Sequence, residues 1–154
     1  MTSRITIAVP LAGLAIAGVL AGCGGSSGPT RAEFAKKADT ECAKVNKAHP
    51  PKPNPKSPAE AAAQQAEEIK IRRDLDAKLK ALDVPGDAKK DFDAYNEGTQ
   101  KIVAAIDKMR ADAQGKNEKQ YAADSKVFAA AATEREASAI KLGFKTCGRK
   151  NPAQ

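Results

Sequence analysis

Few side chains in this sequence are of the types that do chemistry, and their spacing limits each of them. Its 154 residues hold three cysteines, Cys23, Cys42 and Cys147, and one histidine, His49. A Cys/His zinc site, or a di-iron bundle built on two Glu-x-x-His helices, needs more ligands than one histidine beside a proline tract supplies. No two cysteines have the Cys-x-x-Cys spacing of a redox couple. Asp74-x-Asp76 and Asp91-x-Asp93 match fragments of a calcium loop. Each falls inside a helical period without the rest of the ligand pattern, so both read as solvated charge. Glu67 and Glu68 could act as acid and base only if buried together, yet adjacent helical residues point about 100° apart. There is no Gly-x-Ser-x-Gly elbow and no phosphate-cradling glycine loop. The expectation is a chain that is not an enzyme, with no metal and no cofactor.

Cys23 sits where an apolar run ends and a Gly/Ser tract begins. Met1 to Arg4 carry one positive charge, Ile5 to Leu20 carry none, and small residues precede Cys23. This is the layout of an export signal. A retained membrane span is the competitor, but an apolar stretch of about 16 to 18 residues is short for about 30 Å of hydrocarbon, and Pro10, Gly13 and Gly18 interrupt it. Leu20-Ala21-Gly22-Cys23 resembles a bacterial lipobox, the pattern read by lipoprotein-processing enzymes. The resemblance implies that Cys23 becomes the first mature residue, thioether-linked to diacylglycerol and acylated on its amine. An ordinary secretory cleavage site with a chance cysteine is the alternative. Each buried CH₂ contributes about 0.8 kcal/mol, so two or three acyl chains hold a protein where one is marginal. The expected division is a signal peptide over 1–22, a flexible tether over 23–29 and a helical domain over 30–154.

Ala, Leu, Ile and Val dominate the apolar mass, against four Phe, two Tyr and no Trp. That composition favours helices over sheet. Thr30 with Glu33 has a capping-box spacing, and Phe34, Ala38, Cys42 and Val45 recur at helical intervals, predicting a first helix over 31–48. A proline-rich linker, 50–57, cannot continue it. Its PxxP spacing could suit an aromatic-lined groove in a partner, but a stiff surface linker is the simpler account. Ser57-Pro58-Ala59-Glu60 starts a second helix, expected to reach about Leu82. Ile71, Leu75, Leu79 and Leu82 form its stripe, and acid-then-base pairs such as Glu68/Arg72 and Asp76/Lys80 its outer face. Phe92, Tyr95, Thr99, Ile102, Ile106, Met109 and Ala113 form an a/d seam on a third helix ending near Gly115. Asn117 with Gln120 opens a fourth, expected to bury Tyr121, Phe128, Ala132, Ala139 and Leu142, with Gly143 as its left-handed terminator. The fold class is all-α, a four-helix bundle running up-down-up-down and stapled by one disulfide.

With Cys23 acylated, Cys42 and Cys147 are an even pair in an oxidising compartment. Antiparallel packing brings the end of the fourth helix to the first, within reach of a bridge. The surroundings of these two cysteines also resemble small secreted or lipid-anchored helical proteins of actinobacteria, in which an FxxxADxxCxxxN helix and a GFxxCG tail bracket the domain. Here those motifs are Phe34 to Asn46 and Gly143 to Gly148. The resemblance implies a shared helical fold and the Cys42–Cys147 pairing, and it carries no activity.

The formal net charge is +7, with cations concentrated between Arg31 and Lys56 and again between Lys141 and Lys150. Near a membrane these could meet anionic headgroups or wall polymers. Nucleic acid is excluded as a partner by export and by the shortage of stacking aromatics. The expectation is a lipid-anchored envelope protein on the extracytoplasmic face of the cell membrane, acting as a non-catalytic binding or structural module. A carrier holding an apolar small ligand between the helices is the alternative, with Tyr95, Thr99 and Met109 as liners.

Overall fold

In the computed structural model, which describes residues 28–148 apart from the side chain of Pro58, local side-chain signals start three of the four helices. Helix α1, Arg31–Ala48, opens with the full capping box: the Thr30 hydroxyl accepts from the Glu33 amide, and the Glu33 carboxylate accepts from the Thr30 amide at 2.8 Å. The linker over 50–57 is non-helical and exposed, and the Gln64 amide donates to the Pro53 carbonyl at 3.2 Å. Ser57 caps α2, Pro58–Lys80. That helix stops two residues short of the expected Leu82, whose amide closes a last tight turn on the Leu79 carbonyl.

Helix α3, Lys89–Gln114, starts at Ala88 with no side-chain cap, which no local motif had announced. At its exit Gly115 stays right-handed and Lys116 takes the left-handed conformation, φ 54°. Helix α4, Glu118–Leu142, is capped by Asn117. Gln120 does not return the reciprocal bond expected of it; its amide reaches Asp124 instead, at 3.5 Å. Gly143 terminates α4 at φ 79°, and the Phe144 amide folds back onto the Ala139 carbonyl.

The four helices form the up-down-up-down bundle. Arg31 at the start of α1 reaches Asp91 at the start of α3 and the Lys141 carbonyl at the end of α4, so three of the helix termini meet at one end. Helices α3 and α4 have the most extensive interface and α1 the slightest. The buried residues of α1, Phe34, Ala35, Ala38 and Cys42, all lie before its last six positions, which are exposed apart from half-buried Val45, so α1 covers only one end of the bundle. There the core is aromatic: Phe34, Phe92, Tyr95 and Phe144 pack edge-on, tilted or stacked, with centroids 5.2 to 6.4 Å apart. The other half is a three-helix core around Ile69, Ile102, Ile106 and Ala131.

Several residues take other places than their period suggested. On α2, Ile69 is the buried isoleucine and Ile71 is half-exposed. On α4, Ala139 and Leu142 are buried as expected. Tyr121, Phe128 and Ala132 are only partly covered, while Asp124, Ala131 and Ser138 are buried. Helix α1 buries nothing beyond Cys42 and contributes no residue to the second core cluster, so the inward arc of α4 there is set by α2 and α3.

Candidate functional site at the clasped end of the bundle

One face of α1 carries Phe34, Ala38 and Cys42 at steps of four, with Asp39 beside them. The tail after α4 is fastened to this face three times. Cys42 and Cys147 are disulfide-bonded, with their Cα atoms 5.3 Å apart. The Asp39 carboxylate accepts three successive tail amides, those of Lys145 at 2.8 Å, Thr146 at 2.7 Å and Cys147 at 3.1 Å. Phe144 packs on Phe34 and Tyr95. Ala38 is wholly buried, and at Gly148 a β-carbon would lie 2.5 Å from that of Ala139, so the tail approaches α4 there as only glycine can. The FxxxADxxC and GFxxCG residues are thus the two halves of one clasp. Asn46 is exposed and takes no part.

Beneath the clasp lies a buried polar layer that sequence reasoning missed. Arg135 of α4 donates to the Thr99 hydroxyl at 3.0 Å, to the Cys147 carbonyl at 2.9 Å and to the Tyr95 hydroxyl. Its guanidinium lies 4.4 Å from the Tyr95 ring centroid, a cation–π contact. Burial lowers the Arg135 pKa, opposed by Tyr95. Burial likewise raises that of the Tyr95 hydroxyl, opposed by Arg135. Arg72 and Asp76 of α2, expected on an outer face, are partly buried and add their charges to this layer. Asp76 Oδ2 pairs with Lys80 at 2.6 Å, while its buried Oδ1 makes no hydrogen bond. Gly98 makes room for the layer: a β-carbon there would stand 2.8 Å from the Arg135 Cβ. The only sequence sign was an arginine at an inward position of α4 facing a glycine on α3.

The proposed ligand liners fall in two places. Tyr95 and Thr99 belong to the Arg135 layer, whereas Met109 lies about 15 Å beyond Thr99 along α3, partly buried. The main grooves are on the surface. One of about 750 Å³ lies between α1 and the end of α4, with an apolar floor of Ala32, Ala35, Ala43 and Leu142 and a rim that includes Arg31, Lys36, Lys141 and Lys145. Two smaller ones, about 320 and 350 Å³, lie along α2 and α3, the first mostly charged and the second mixed, with Arg73 and Asp107 in both.

The remaining ionisable candidates do not converge. Glu67 faces Lys52 and lies 3.9 Å from His49, and its carboxyl pKa is lowered chiefly by its hydrogen bond from Lys52. Glu68 turns to Arg72, Asp91 to Arg31 and Asp93 to Lys89. Among the described residues no cluster of three His, Cys, Asp or Glu could hold a metal, and no helix is long and apolar enough to cross a membrane. Cys23, the expected signal peptide over 1–22, most of the expected tether, Arg149 and Lys150 lie outside the described residues. No protein-family model, curated protein or solved structure matches the chain.

Proposed function

We propose that this protein is a lipoprotein of the cell envelope, held by Cys23 on the extracytoplasmic face of the membrane and serving as a non-catalytic binding or structural module. The observation that carries the reading is Leu20-Ala21-Gly22-Cys23 at the end of an uncharged run, followed within seven residues by the capped start of α1. Two supports accompany it. The pairing of Cys42 with Cys147 leaves Cys23 as the cysteine outside the disulfide. The clasp accounts for nearly all the motif residues around that pair by packing and hydrogen bonding, which supports a structural role for them. Fatty-acid labelling of the wild type against Cys23→Ala tests the anchor: label is expected on the first chain alone, and label retained by the variant refutes it.

The carrier reading draws on the α1/α4 groove, whose volume exceeds the roughly 300 Å³ of small-ligand sites. Mass spectrometry of organic extracts of the purified protein tests it. A stoichiometric apolar small molecule supports a carrier, and an empty extract supports the module.

A further inference from the structure

We propose that the α1/α4 groove is the face on which the domain docks to its own membrane, its lysines taking the headgroup phosphates of anionic phospholipids. This rests on the reading of Cys23 as a lipid anchor and names what the anchored domain then touches.

Charge complementarity is the first ground. Lys36, Lys141 and Lys145 rim the groove, and among the described residues none of their ammonium groups has an ion pair or hydrogen bond. The fourth rim cation, Arg31, is already committed to Asp87 and Asp91. The one carboxylate in the groove, Asp39, is held by three backbone amides and pairs with none of the lysines, so three lysines against one carboxylate leave the groove positive. The floor between the lysines offers the exposed methyl groups of Ala32 and Ala43 above the buried Ala35 and Leu142, and outside the groove lining Ile140 on the last turn of α4 is 69% exposed. Basic side chains around an apolar strip suit the boundary between headgroups and acyl chains.

The position of the tether is the second ground. Cys23 and Thr30 are seven residues apart in sequence, a reach of at most about 25 Å, and Thr30 caps the helix end that carries Arg31 and Ala32 of the groove. An anchor at Cys23 therefore holds this end of the bundle at the bilayer. Confinement on a short tether gives a high effective concentration, so a weak surface contact suffices. Each lysine at an anionic surface contributes about fivefold to the docking equilibrium, and three together about a hundredfold.

The test uses the native lipidated protein in vesicles, with amine-reactive footprinting of individual lysines by mass spectrometry. On phosphatidylglycerol vesicles, Lys36, Lys141 and Lys145 should label several-fold more slowly than on phosphatidylcholine vesicles, and high salt should reverse the protection. Lys108, Lys119 and Lys126, on the far half of the bundle, should label equally on both. In K141Q/K145Q the docking equilibrium read at Lys36 should fall about 25-fold. Equal labelling of the three groove lysines on both vesicles overturns the proposal. So does protection by a soluble polyanionic wall polymer on neutral vesicles without protection by phosphatidylglycerol. Failure of the anchor itself gives a different result, because a chain without acyl groups does not stay with neutral vesicles at all.

Discussion

Replacing Asp39 with alanine removes the acceptor for three consecutive amides while the disulfide keeps the tail in place. The cost follows from exposure. The Lys145 amide is open to water, which replaces the carboxylate there at little cost, but the Thr146 and Cys147 amides are partly buried. Each donated to a charged oxygen, and each left unsatisfied costs about 1 to 1.5 kcal/mol, giving about 2 to 3 kcal/mol for Asp39→Ala. Both partly buried amides bond the same oxygen, Oδ1, and the exposed one bonds Oδ2. Asp39→Asn can therefore keep Oδ1 as an acceptor for the buried pair while its amide group confronts the exposed Lys145 amide, and should cost about half as much. Urea unfolding of the oxidised proteins measures both, with an unchanged m-value confirming that the same surface is exposed on unfolding. A loss under about 0.5 kcal/mol for Asp39→Ala, or equal losses for both variants, would refute the assignment of Asp39 as the clasp's acceptor.

The disulfide closes a loop with a sequence separation of 105. Converting both Cys42 and Cys147 to serine should cost about 4 to 5 kcal/mol on the chain-entropy account, checked by thermal melts of the variant against oxidised and reduced wild type. Gly98→Ala sets a gain in helix propensity of about 1 kcal/mol against a clash with the Cβ and backbone of Arg135, and should destabilise on balance by about 1 kcal/mol. Introducing Arg135→Ala alongside does not relieve a backbone clash, so that double variant should recover none of the loss. The Asp112 carboxyl pKa is raised, by burial first and then by Asp124. Its contribution to stability is therefore full below the ordinary aspartate range and fades as pH rises through the raised value. Glu33, Glu41 and Glu67 are lowered, and theirs fades in the opposite direction, as pH falls through their depressed values. Asp124→Asn should accordingly raise stability at neutral pH relative to wild type and lose that advantage as the solution is acidified, seen by urea titration across pH.

What was legible in the sequence is what is local. A capping box is four residues long, a helical period repeats every three or four, and a C-terminal glycine acts on its own turn, so Thr30, Ser57, Asn117 and Gly143 marked helix ends that the tertiary structure did not move. The seam of α3 from Phe92 to Ile106 was readable for the same reason, since a helix buried along one stripe must repeat its apolar residues at that period. Ala88 was missed because it begins α3 without a side-chain cap, leaving no residue type to read.

The clasp was half-visible. Cysteine arithmetic and resemblance pointed to Cys42 and Cys147, but nothing in the spacing says that Asp39 holds three amides more than a hundred positions away. The Arg135 layer was invisible for a deeper reason. Whether Arg72, Asp76 and Arg135 face water or core depends on how closely α3 approaches α4, and that approach is set by the missing side chain at Gly98 and by the tail that closes over Tyr95. The sequence alone determined where helices begin, end and turn their apolar stripe, because those are energies of neighbours in the chain. Only the tertiary structure decided that α1 covers a single half of the bundle, that a buried cation is satisfied by a tyrosine, a threonine and a carbonyl, and that three lysines rim one groove. These depend on distances between residues far apart in the chain, which no local pattern encodes.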